Sequence, residues 1–232
     1  MILIIGSGVA GLSCALAVSR AGGEATLVTP GRLASGIGER GIGAAPGDDP
    51  LAAALAGGST ALAQGGIAAA IAPGDTPEAH LADTIAAGAG LVDAEAAGVL
   101  VREGARAVRE LLAAGLPVDR DESGDPRFGL EAAHSAHRIV HAGGDRTGAV
   151  LHAFLVERLL AEVAAGRISL VEDRAAVSLL REDGIVRGAV LRDAAGGLEA
   201  MRADAVVLAT GGYAGLYPRS TNPVSSRGEG IV

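Results

Sequence analysis

The N-terminal part of the chain alternates between short apolar runs and glycine-rich breaks. Residues 1–5 (MILII) are uniformly apolar, which is typical of a strand buried on both faces. The run breaks at Gly6, and residues 9–21 then have the composition of a helix. A second short apolar run, EATLV (24–28), predicts another strand. Together these segments predict a βαβ unit.

The middle of the chain has the longer periodicity of helices. Segments 76–88 and 93–114 each predict a helix. Gly115 follows the second as its stop. The charged, turn-rich segment 117–128 predicts a loop, and a long buried helix is expected from Thr147 onward. The apolar residues near helical spacing in the second segment are Val99, Val101, Ala105, Val108, Leu111 and Leu112.

The last third of the chain is rich in strand-like segments. Turns at Gly184 and at the AAGG sequence (194–197) separate several of them. The pattern indicates a β-meander inserted before the chain returns to the main sheet at VVLATGG. We therefore predict an α/β fold, a Rossmann-like domain with a parallel central sheet and a small antiparallel β-meander insertion, without a linker between independent domains. The predicted strands are 167–173, 175–183, 185–193, 198–203 and 205–212.

Residues 31–58 are dominated by Gly, Ala and Pro. Asp49 and Pro50 have the residue types that begin a helix, which predicts a short helix near DDPLAAALAG. The rest reads as a surface loop. It is either a lid or an insertion without function, and the sequence leaves both open.

Composition excludes several classes of function. A net charge of −8 argues against a surface for nucleic acid or anionic membranes, and aromatics at 2% argue against stacking of single-stranded bases. Cys14 is the one cysteine, so no disulfide framework is expected and a buried, inert thiol is the simple interpretation. Met1 leads directly into a strand without a signal peptide, and no apolar run approaches a membrane span. A cytoplasmic protein is expected.

The first glycine break has the spacing G-x-G-x-x-G at Gly6, Gly8 and Gly11, between a strand and a helix. In such a turn the first glycine permits the tight bend, the second lets a diphosphate approach the backbone, and the third allows close helix packing. Dinucleotide binding is therefore predicted. The acidic residue expected after the second strand is replaced by Thr29 and Pro30, which favours FAD over NAD.

Two further glycine clusters strengthen the FAD interpretation. Segment 57–66 (GGSTALAQGG) combines hydroxyls, an amide and glycine pairs, and segment 206–212 (VVLATGG) ends a buried strand. Phosphates and a flavin ring need backbone N–H donors with little side-chain bulk around them. Each cluster taken alone is equally compatible with a tight turn.

His134, His137 and His141 are spaced so that one face of a helix would carry all three. A zinc site is disfavoured because no cysteine accompanies them, so we interpret them as hydrogen-bonded histidines near an active-site mouth. His80 and His152 are placed on helices as structural residues. Asp145 is expected to cap the helix that follows it.

Five motifs occur in the order found in the succinate dehydrogenase/fumarate reductase flavoprotein family. They are IIGSGVAGLSCAL, GGSTALAQGGIAAAI, LEAAHSAHRIVHAGGDRTG, AVVLATGG and STNPVSSRGEGI, and they most resemble the L-aspartate oxidase branch. The resemblance covers nearly the whole chain apart from 31–58.

The resemblance implies FAD as the cofactor and a set of residues around it. The diphosphate would lie at the glycine turn, the adenosine near Thr29 and Pro30, and the flavin along segment 59–66. The implied cofactor-binding residues are Gly6, Ser7, Gly8, Val9, Ala10, Gly11, Thr29, Pro30, Ser59, Thr60, Ala61, Leu62, Ala63, Gln64, Gly65, Gly66, Ala175, Ala176, Ala209, Thr210, Gly211, Gly212 and Glu229.

Three positions depart from the family's pattern. Succinate dehydrogenases resemble this chain but carry, immediately before the residue matching Thr60, a His that bonds covalently to the flavin. Ser59 stands there, which implies non-covalent FAD. Pro30 replaces an expected lysine, and Glu229 replaces an Asp in a Gly-Asp-Gly turn.

Glu131 matches the acidic residue that orients the substrate's α-amino group in aspartate oxidases. An ammonium group needs an anionic partner, and succinate has no ammonium. Without the resemblance, Glu131 reads as a solvated glutamate in a polar loop. The implied reaction is oxidation of L-aspartate to iminoaspartate for NAD and quinolinate biosynthesis, with oxygen or fumarate as electron acceptor and quinolinate synthase as partner.

The family's substrate-binding arginines and histidines are not evident in these residues. We therefore expect the chain to be the N-terminal part of an FAD-binding domain, without the capping domain and the C-terminal return, and inactive alone. The alternatives are a fumarate reductase or succinate dehydrogenase flavoprotein, and a non-catalytic dinucleotide-binding module that senses redox state.

Overall fold

The computed structural model describes residues 1–33, 58–228 and 230. Contacts divide the chain into two compact units, the first formed by residues 1–63 and 151–232 and the second by residues 64–150. The short helix predicted near Asp49 and Pro50, and most of the loop predicted over 31–58, lie outside the described residues.

The helices are α1 Val9–Arg20, α2 Pro77–Ala87, α3 Ala94–Ala113 and α4 Thr147–Ala164. The strands are β1 Ile2–Ile5, β2 Ala25–Val28, β3 Ile67–Ala68, β4 Phe128–Gly129, β5 Ile139–Val140, β6 Ile168–Val171, β7 Arg174–Glu182, β8 Ile185–Asp193, β9 Leu198–Arg202 and β10 Ala205–Leu208. A helical turn at residues 58–61 and a 3-10 turn at Ala214–Leu216 complete the description.

The first unit is built on a four-stranded parallel sheet of order β10-β1-β2-β6. Strand β1 lies inside this sheet, and Leu3 and Ile4 are fully buried. The continuous apolar run at the N-terminus is explained by this position, since a strand covered on both faces has no polar side. The predicted βαβ unit and the return of VVLATGG to the main sheet are confirmed.

The predicted meander is the antiparallel sheet β7-β8-β9. Its first turn has left-handed backbone at Asp183 and Gly184, the geometry of a two-residue hairpin turn. Ala189 and Leu191 of β8 join a buried apolar cluster with Leu3, Ile5 and Val28 of the parallel sheet. The segment 167–173 belongs to the parallel sheet as β6 rather than to the meander.

In the second unit, α2 and α3 begin at polar caps. Thr76 Oγ1 accepts the N–H of Ala79 at 3.1 Å, and one carboxylate oxygen of Asp93 accepts two N–H groups at 3.0 Å. These contacts satisfy backbone donors that a helix start leaves free. Helix α3 ends where predicted, because Gly115 has a φ of +92° and donates its N–H to Leu112 O.

Val99 lies outside the buried face of α3, although it was grouped with the apolar residues near helical spacing. Its exposed fraction is 52%, whereas Val101, Ala105 and Val108 are buried. Residues four and seven positions apart share one face of a helix, and Val99 lies on the opposite side from Val101.

The second unit also contains a small antiparallel sheet of order β3-β5-β4, which the sequence analysis did not predict. Each of its strands has two residues, too few for an alternating pattern to be visible. This sheet makes the predicted helix face of His134, His137 and His141 wrong, because residues 131–138 form turns and Ile139–Val140 is a strand.

The prediction that Asp145 caps α4 is also wrong. The helix begins at Thr147, and its first helical hydrogen bond runs from Val150 N to Arg146 O. Arg146 therefore occupies the cap position, and Asp145 precedes it by one residue. Among the described residues, no helix is long and apolar enough to cross a membrane.

Candidate functional site

The glycine turn of the first unit is shaped by close backbone packing. Gly6 has a φ of +113°, and a Cβ atom there would lie 2.2 Å from the carbonyl oxygen of Ala209. A Cβ atom on Gly11 would lie 1.9 Å from the carbonyl oxygen of Gly6. Contacts this short exclude any side chain. Both glycines are therefore required by the turn itself and by its contact with the end of β10.

Two buried polar side chains, those of Thr29 and His152, contact Ser7 in this turn. Ser7 Oγ lies 2.8 Å from Thr29 Oγ1, and both residues are buried. His152 of α4 places its Nε2 atom 3.0 Å from the carbonyl oxygen of Ser7. Thr29 is fully buried, so its hydroxyl serves the turn, whereas the neighbouring Pro30 is exposed. His152 was predicted to be a structural residue, but no local sequence pattern indicates its contact with Ser7.

The N-terminus of α1 lies directly after this turn, with Gly8 as its N-cap and exposed Val9 and Ala10 in its first turn. Gly8 has no side chain to occupy the first N–H groups, and the first turn carries no acidic residue. The N–H of Val9 donates to Thr60 Oγ1 at 3.1 Å. A glycine-capped helix start without an acidic residue in its first turn suits an anionic diphosphate.

The segment after β10 is open on the side of its glycines. Gly211 has a φ of +80°, and a Cβ atom on Gly211 or Gly212 would meet no described atom within 4 Å. Gly212 O accepts the N–H of Gly228 at 3.1 Å, and a Cβ atom on Gly230 would lie 1.9 Å from Thr210 Oγ1. This open backbone leaves room for a flat ring to approach. Glu229 lies outside the described residues.

A second contact joins the helical turn at 58–61 to the C-terminal part of the first unit. Ser59 Oγ lies 3.2 Å from Ser226 Oγ. Through this contact, the Val9–Thr60 bond and the packing of Gly6 on Ala209, the structure brings together the glycine turn, Ser59 and Thr60, and the segment after β10. Of the other predicted cofactor residues in this unit, Ala61, Leu62 and Ala63 follow Thr60.

Ala175 and Ala176 are the second and third residues of β7. Ala176 packs against the apolar cluster of the first unit, so its side chain is partly buried in the core. Gln64, Gly65 and Gly66 belong to the second unit. A Cβ atom on Gly66 would lie 2.3 Å from Ile139 Cγ2, whereas one on Gly65 would meet no described atom within 4 Å.

Residues 130–138 of the second unit, here called the Glu131 loop, connect β4 to β5. The Glu131 side chain is 53% exposed, and its Oε1 atom lies 3.5 Å from His141 Nε2. The carbonyl oxygen of Glu131 accepts the N–H of His134 at 3.2 Å, and Ala133 has a φ of +68°. The loop therefore presents a carboxylate to solvent from a turn of defined shape.

The last residue of this loop, Arg138, belongs to a buried ion cluster that the sequence did not predict. Arg138 is fully buried and contacts Asp75 and Asp83, whose side chains are 2% and 17% exposed. Burial lowers the pKa of the neighbouring His80, and the charge of Arg138 lowers it further. No local pattern marks this cluster, because Asp75 and Asp83 precede Arg138 by 63 and 55 residues. The described residues contain no group of His, Cys, Asp and Glu arranged to hold a metal ion.

Comparison with known proteins gives three results. The sequence pattern of the FAD binding domain family matches residues 52–232. L-aspartate oxidase of Caulobacter vibrioides is 42% identical over 231 residues, covering 99% of this chain and 40% of that protein. L-aspartate oxidase of Streptomyces coelicolor is 41% identical over 236 residues, covering 100% of this chain and 36% of that protein.

Among solved structures, FrdA of the E. coli quinol fumarate reductase superposes with a TM-score of 0.81 at 26% identity, over 99% of this chain and 35% of that one. The chain thus spans well under half the length of the curated relatives it matches. The predicted fold class agrees with that of this flavoprotein.

Proposed function

This chain belongs to the FAD binding domain family, and from that premise we propose that it is the FAD-binding, N-terminal part of an L-aspartate oxidase. The proposal is supported by the identity of 42% and 41% to two L-aspartate oxidases along nearly the whole chain. Because those relatives are more than twice as long, we assign the complete reaction to a polypeptide of their length and expect this chain alone to be inactive.

The glycine turn and the open segment after β10 are the parts of the first unit suited to FAD. The N–H groups at the start of α1 would donate to the diphosphate, with Ser7 and Thr29 holding the turn in shape. Gly211 and Gly212 would lie against the flavin because no described atom would obstruct either position. The convergence of these segments within one unit is the observation that carries the cofactor assignment.

We propose that FAD is bound without a covalent link. Ser59 stands where the related succinate dehydrogenases carry a flavin-linked His, and its hydroxyl contacts Ser226. A serine hydroxyl lacks the ring nitrogen needed for that linkage. FAD should therefore dissociate from the protein, chemically unchanged, when the protein is denatured.

Glu131 is proposed to bind the α-ammonium group of L-aspartate. Its carboxylate is half exposed, and its contact among the described residues is the weak one with His141 at 3.5 Å, which leaves oxygen lone pairs for a substrate donor. Bound FAD supplies a two-electron acceptor, so that oxidation of the substrate yields iminoaspartate. Oxygen or fumarate would then take the electrons. The proposal includes a cytoplasmic setting and quinolinate synthase as the protein that uses the product.

The proposal is tested with the protein extended to the length of its relatives. A yellow protein that releases its chromophore on acid precipitation, and that forms hydrogen peroxide with L-aspartate in air, would support it. A chromophore that stays with the precipitate would contradict non-covalent binding. A colourless protein with an intact fold would instead support a dinucleotide-binding module without flavin chemistry.

The second candidate is a fumarate reductase or succinate dehydrogenase flavoprotein, which the superposition on FrdA favours. The two candidates differ in whether the substrate carries an ammonium group. Oxidation of succinate in preference to L-aspartate, at matched concentrations with the same dye as electron acceptor, would establish this alternative and refute the aspartate assignment.

A further inference from the structure

We propose that Arg138 is the positioning residue for Glu131, and that it acts by clamping the Glu131 loop to the start of α2. The inference rests on the proposed function, since it gives Arg138 importance only if the Glu131 carboxylate binds the substrate's ammonium group. The hydrogen bonds described for the Arg138 side chain do not include one to Glu131. The action runs through the two ends of the loop.

The first step is the hydrogen bonding of the guanidinium. Arg138 Nε and Nη2 donate to the two oxygens of Asp75 at 2.9 and 2.8 Å, and Nη1 donates to Asp83 Oδ2 at 2.7 Å. Asp75 lies just before α2 and Asp83 lies within it. One planar group therefore joins the loop to two points on the same helical segment.

The second step is the link from Asp83 to the middle of the loop. Asp83 Oδ2 accepts both the backbone N–H and the hydroxyl of Ser135, each at 2.8 Å. These hydrogen bonds, followed by those from Arg138, lower the pKa of Asp83. Asp83 is thus held as an anion between Arg138 and Ser135, and the loop is fastened at both positions.

The third step is the backbone path from Arg138 to Glu131. Arg138 N donates to Gly129 O at 3.1 Å, and Arg138 O accepts the N–H of Ala69 at 3.0 Å. Gly129 precedes Glu131 by two residues, so Arg138 closes the base of the loop. On the other side, the pairing of β4 with β5 places His141 where its Nε2 reaches Glu131. Displacing Arg138 would move both ends of the segment that carries the carboxylate.

The buried charges explain why this position needs arginine. Two carboxylates surround the single cation, and all three side chains are largely removed from water. Removing the cation would leave two anions unpaired in a buried setting, which is strongly unfavourable. Lysine would keep the charge but presents one nitrogen, and it cannot form the planar double contact with Asp75 while reaching Asp83.

The decisive variant is Arg138→Lys in the full-length, FAD-loaded oxidase. We compare aspartate oxidation with fumarate reduction driven by a reduced viologen dye, because fumarate has no ammonium group for Glu131 to bind. The ratio of the two values of kcat/KM should fall about tenfold or more, mainly through a higher KM for aspartate. A general loss of folded protein would lower both activities equally and leave the ratio unchanged.

Two further variants sharpen this comparison. Arg167→Lys is the matched control, since Arg167 also forms a double contact with one carboxylate, that of Glu162 at 2.6 and 2.8 Å, but lies in the first unit. It should leave the ratio unchanged. In a Glu131→Gln background, Arg138→Lys should add no further fall in the ratio, because its effect is transmitted through Glu131.

A readout independent of activity is amide hydrogen exchange of residues 130–138. Arg138→Lys should speed exchange in this loop without changing the exchange of β1 and β10. If Arg138→Lys does not fold, Asp83→Asn is used, which removes one of the two anions and weakens the hold on Ser135. Unchanged loop exchange together with an unchanged activity ratio, in whichever variant folds, would overturn the inference. A wild-type oxidase that reduces fumarate but does not oxidise aspartate would instead overturn the proposed function. In that case, amide exchange of the loop would still test whether Arg138 fastens the loop to α2.

Discussion

Thr60 Oγ1 accepts a hydrogen bond from the backbone N–H of Val9 at 3.1 Å, across 51 residues of the chain. The bond fastens the segment after the undescribed residues to the first turn of α1. It also fixes the direction of a hydroxyl group at the helix start where the FAD diphosphate is proposed to bind.

Replacing this hydroxyl should weaken the cofactor site. In Thr60→Val the shape of the side chain is kept and the acceptor is lost, so Val9 N–H loses its partner. A hydrogen bond of this kind contributes about 0.5–1.5 kcal/mol, which corresponds to a fall in FAD affinity of up to about tenfold. The affinity is measured by following flavin fluorescence while FAD is titrated with the FAD-free protein. The exposed Thr221→Val serves as control, and equal affinities in the two variants would refute this role of Thr60.

Gly11→Ala should destabilise the first unit. The added Cβ atom would lie 1.9 Å from the carbonyl oxygen of Gly6, and backbone at that distance has to move. Overpacking of this kind typically costs about 1–3 kcal/mol. Urea unfolding followed by circular dichroism gives the free energy of unfolding.

The matched control for that substitution is Gly104→Ala. Gly104 lies within α3, and a Cβ atom there would meet none of the atoms the structure describes within 4 Å. Alanine favours helix over glycine by roughly 0.5–1 kcal/mol, so this variant should be slightly more stable than the wild type. The two substitutions are chemically identical and should have effects of opposite sign. Effects of the same sign would contradict the packing described for the glycine turn.

The stability of the protein should fall as the pH is lowered through the range of histidine titration. Burial, aided by the charge of Arg138, lowers the pKa of His80 below its usual 6.5. Above pH 6.5 both the folded and unfolded chains hold this histidine neutral. Below it the unfolded chain takes up a proton first, which favours unfolding until the pH reaches the lower pKa of the folded state.

We expect the free energy of unfolding to be lower at pH about 5.5 than at about 7.5, and His80→Gln to show a smaller difference between the two. His137→Gln changes an exposed histidine of the same loop region and should keep the wild-type difference. An unaltered difference in His80→Gln would show that other groups cause the pH dependence. Urea titrations at both pH values provide the measurement.

Glu131→Gln should reduce aspartate oxidation selectively in the full-length oxidase. The amide keeps the size of the side chain and removes the charge that pairs with the substrate's ammonium group. Hydrogen bonds to charged groups contribute about 1.5–3 kcal/mol, so the ratio of aspartate oxidation to fumarate reduction should fall by roughly 10- to 100-fold. Glu122→Gln, in the exposed loop before β4, is the control. A parallel loss of both activities would argue against substrate discrimination by Glu131.

The sequence predicted the parts of the fold whose signals are local. The apolar run of β1, the glycine turn, the Asp183–Gly184 hairpin and the stop at Gly115 each depend on residues near one another in the chain. The same is true of the predicted cofactor class, because the G-x-G-x-x-G turn lies between its own strand and helix.

The parts that escaped prediction depend on distant partners. Two-residue strands such as Ile139–Val140 carry no period, so the histidine spacing was interpreted as helical. Arg138 gave no signal because its partners lie on and before α2. The buried position of Thr29 is explained by Ser7, a contact between the ends of two strands that only the sheet brings together.

The strand order of the parallel sheet has a consequence for biosynthesis. Strand β1 is made before its neighbour β10, which begins only at Ala205. At a synthesis rate of about 5–20 residues per second, one edge of β1 waits on the order of 10–40 s for that neighbour. During this interval a wholly apolar strand has an unpaired edge, which can pair with other nascent chains. Chaperone capture of the emerging β1 segment would protect it until β10 pairs with it.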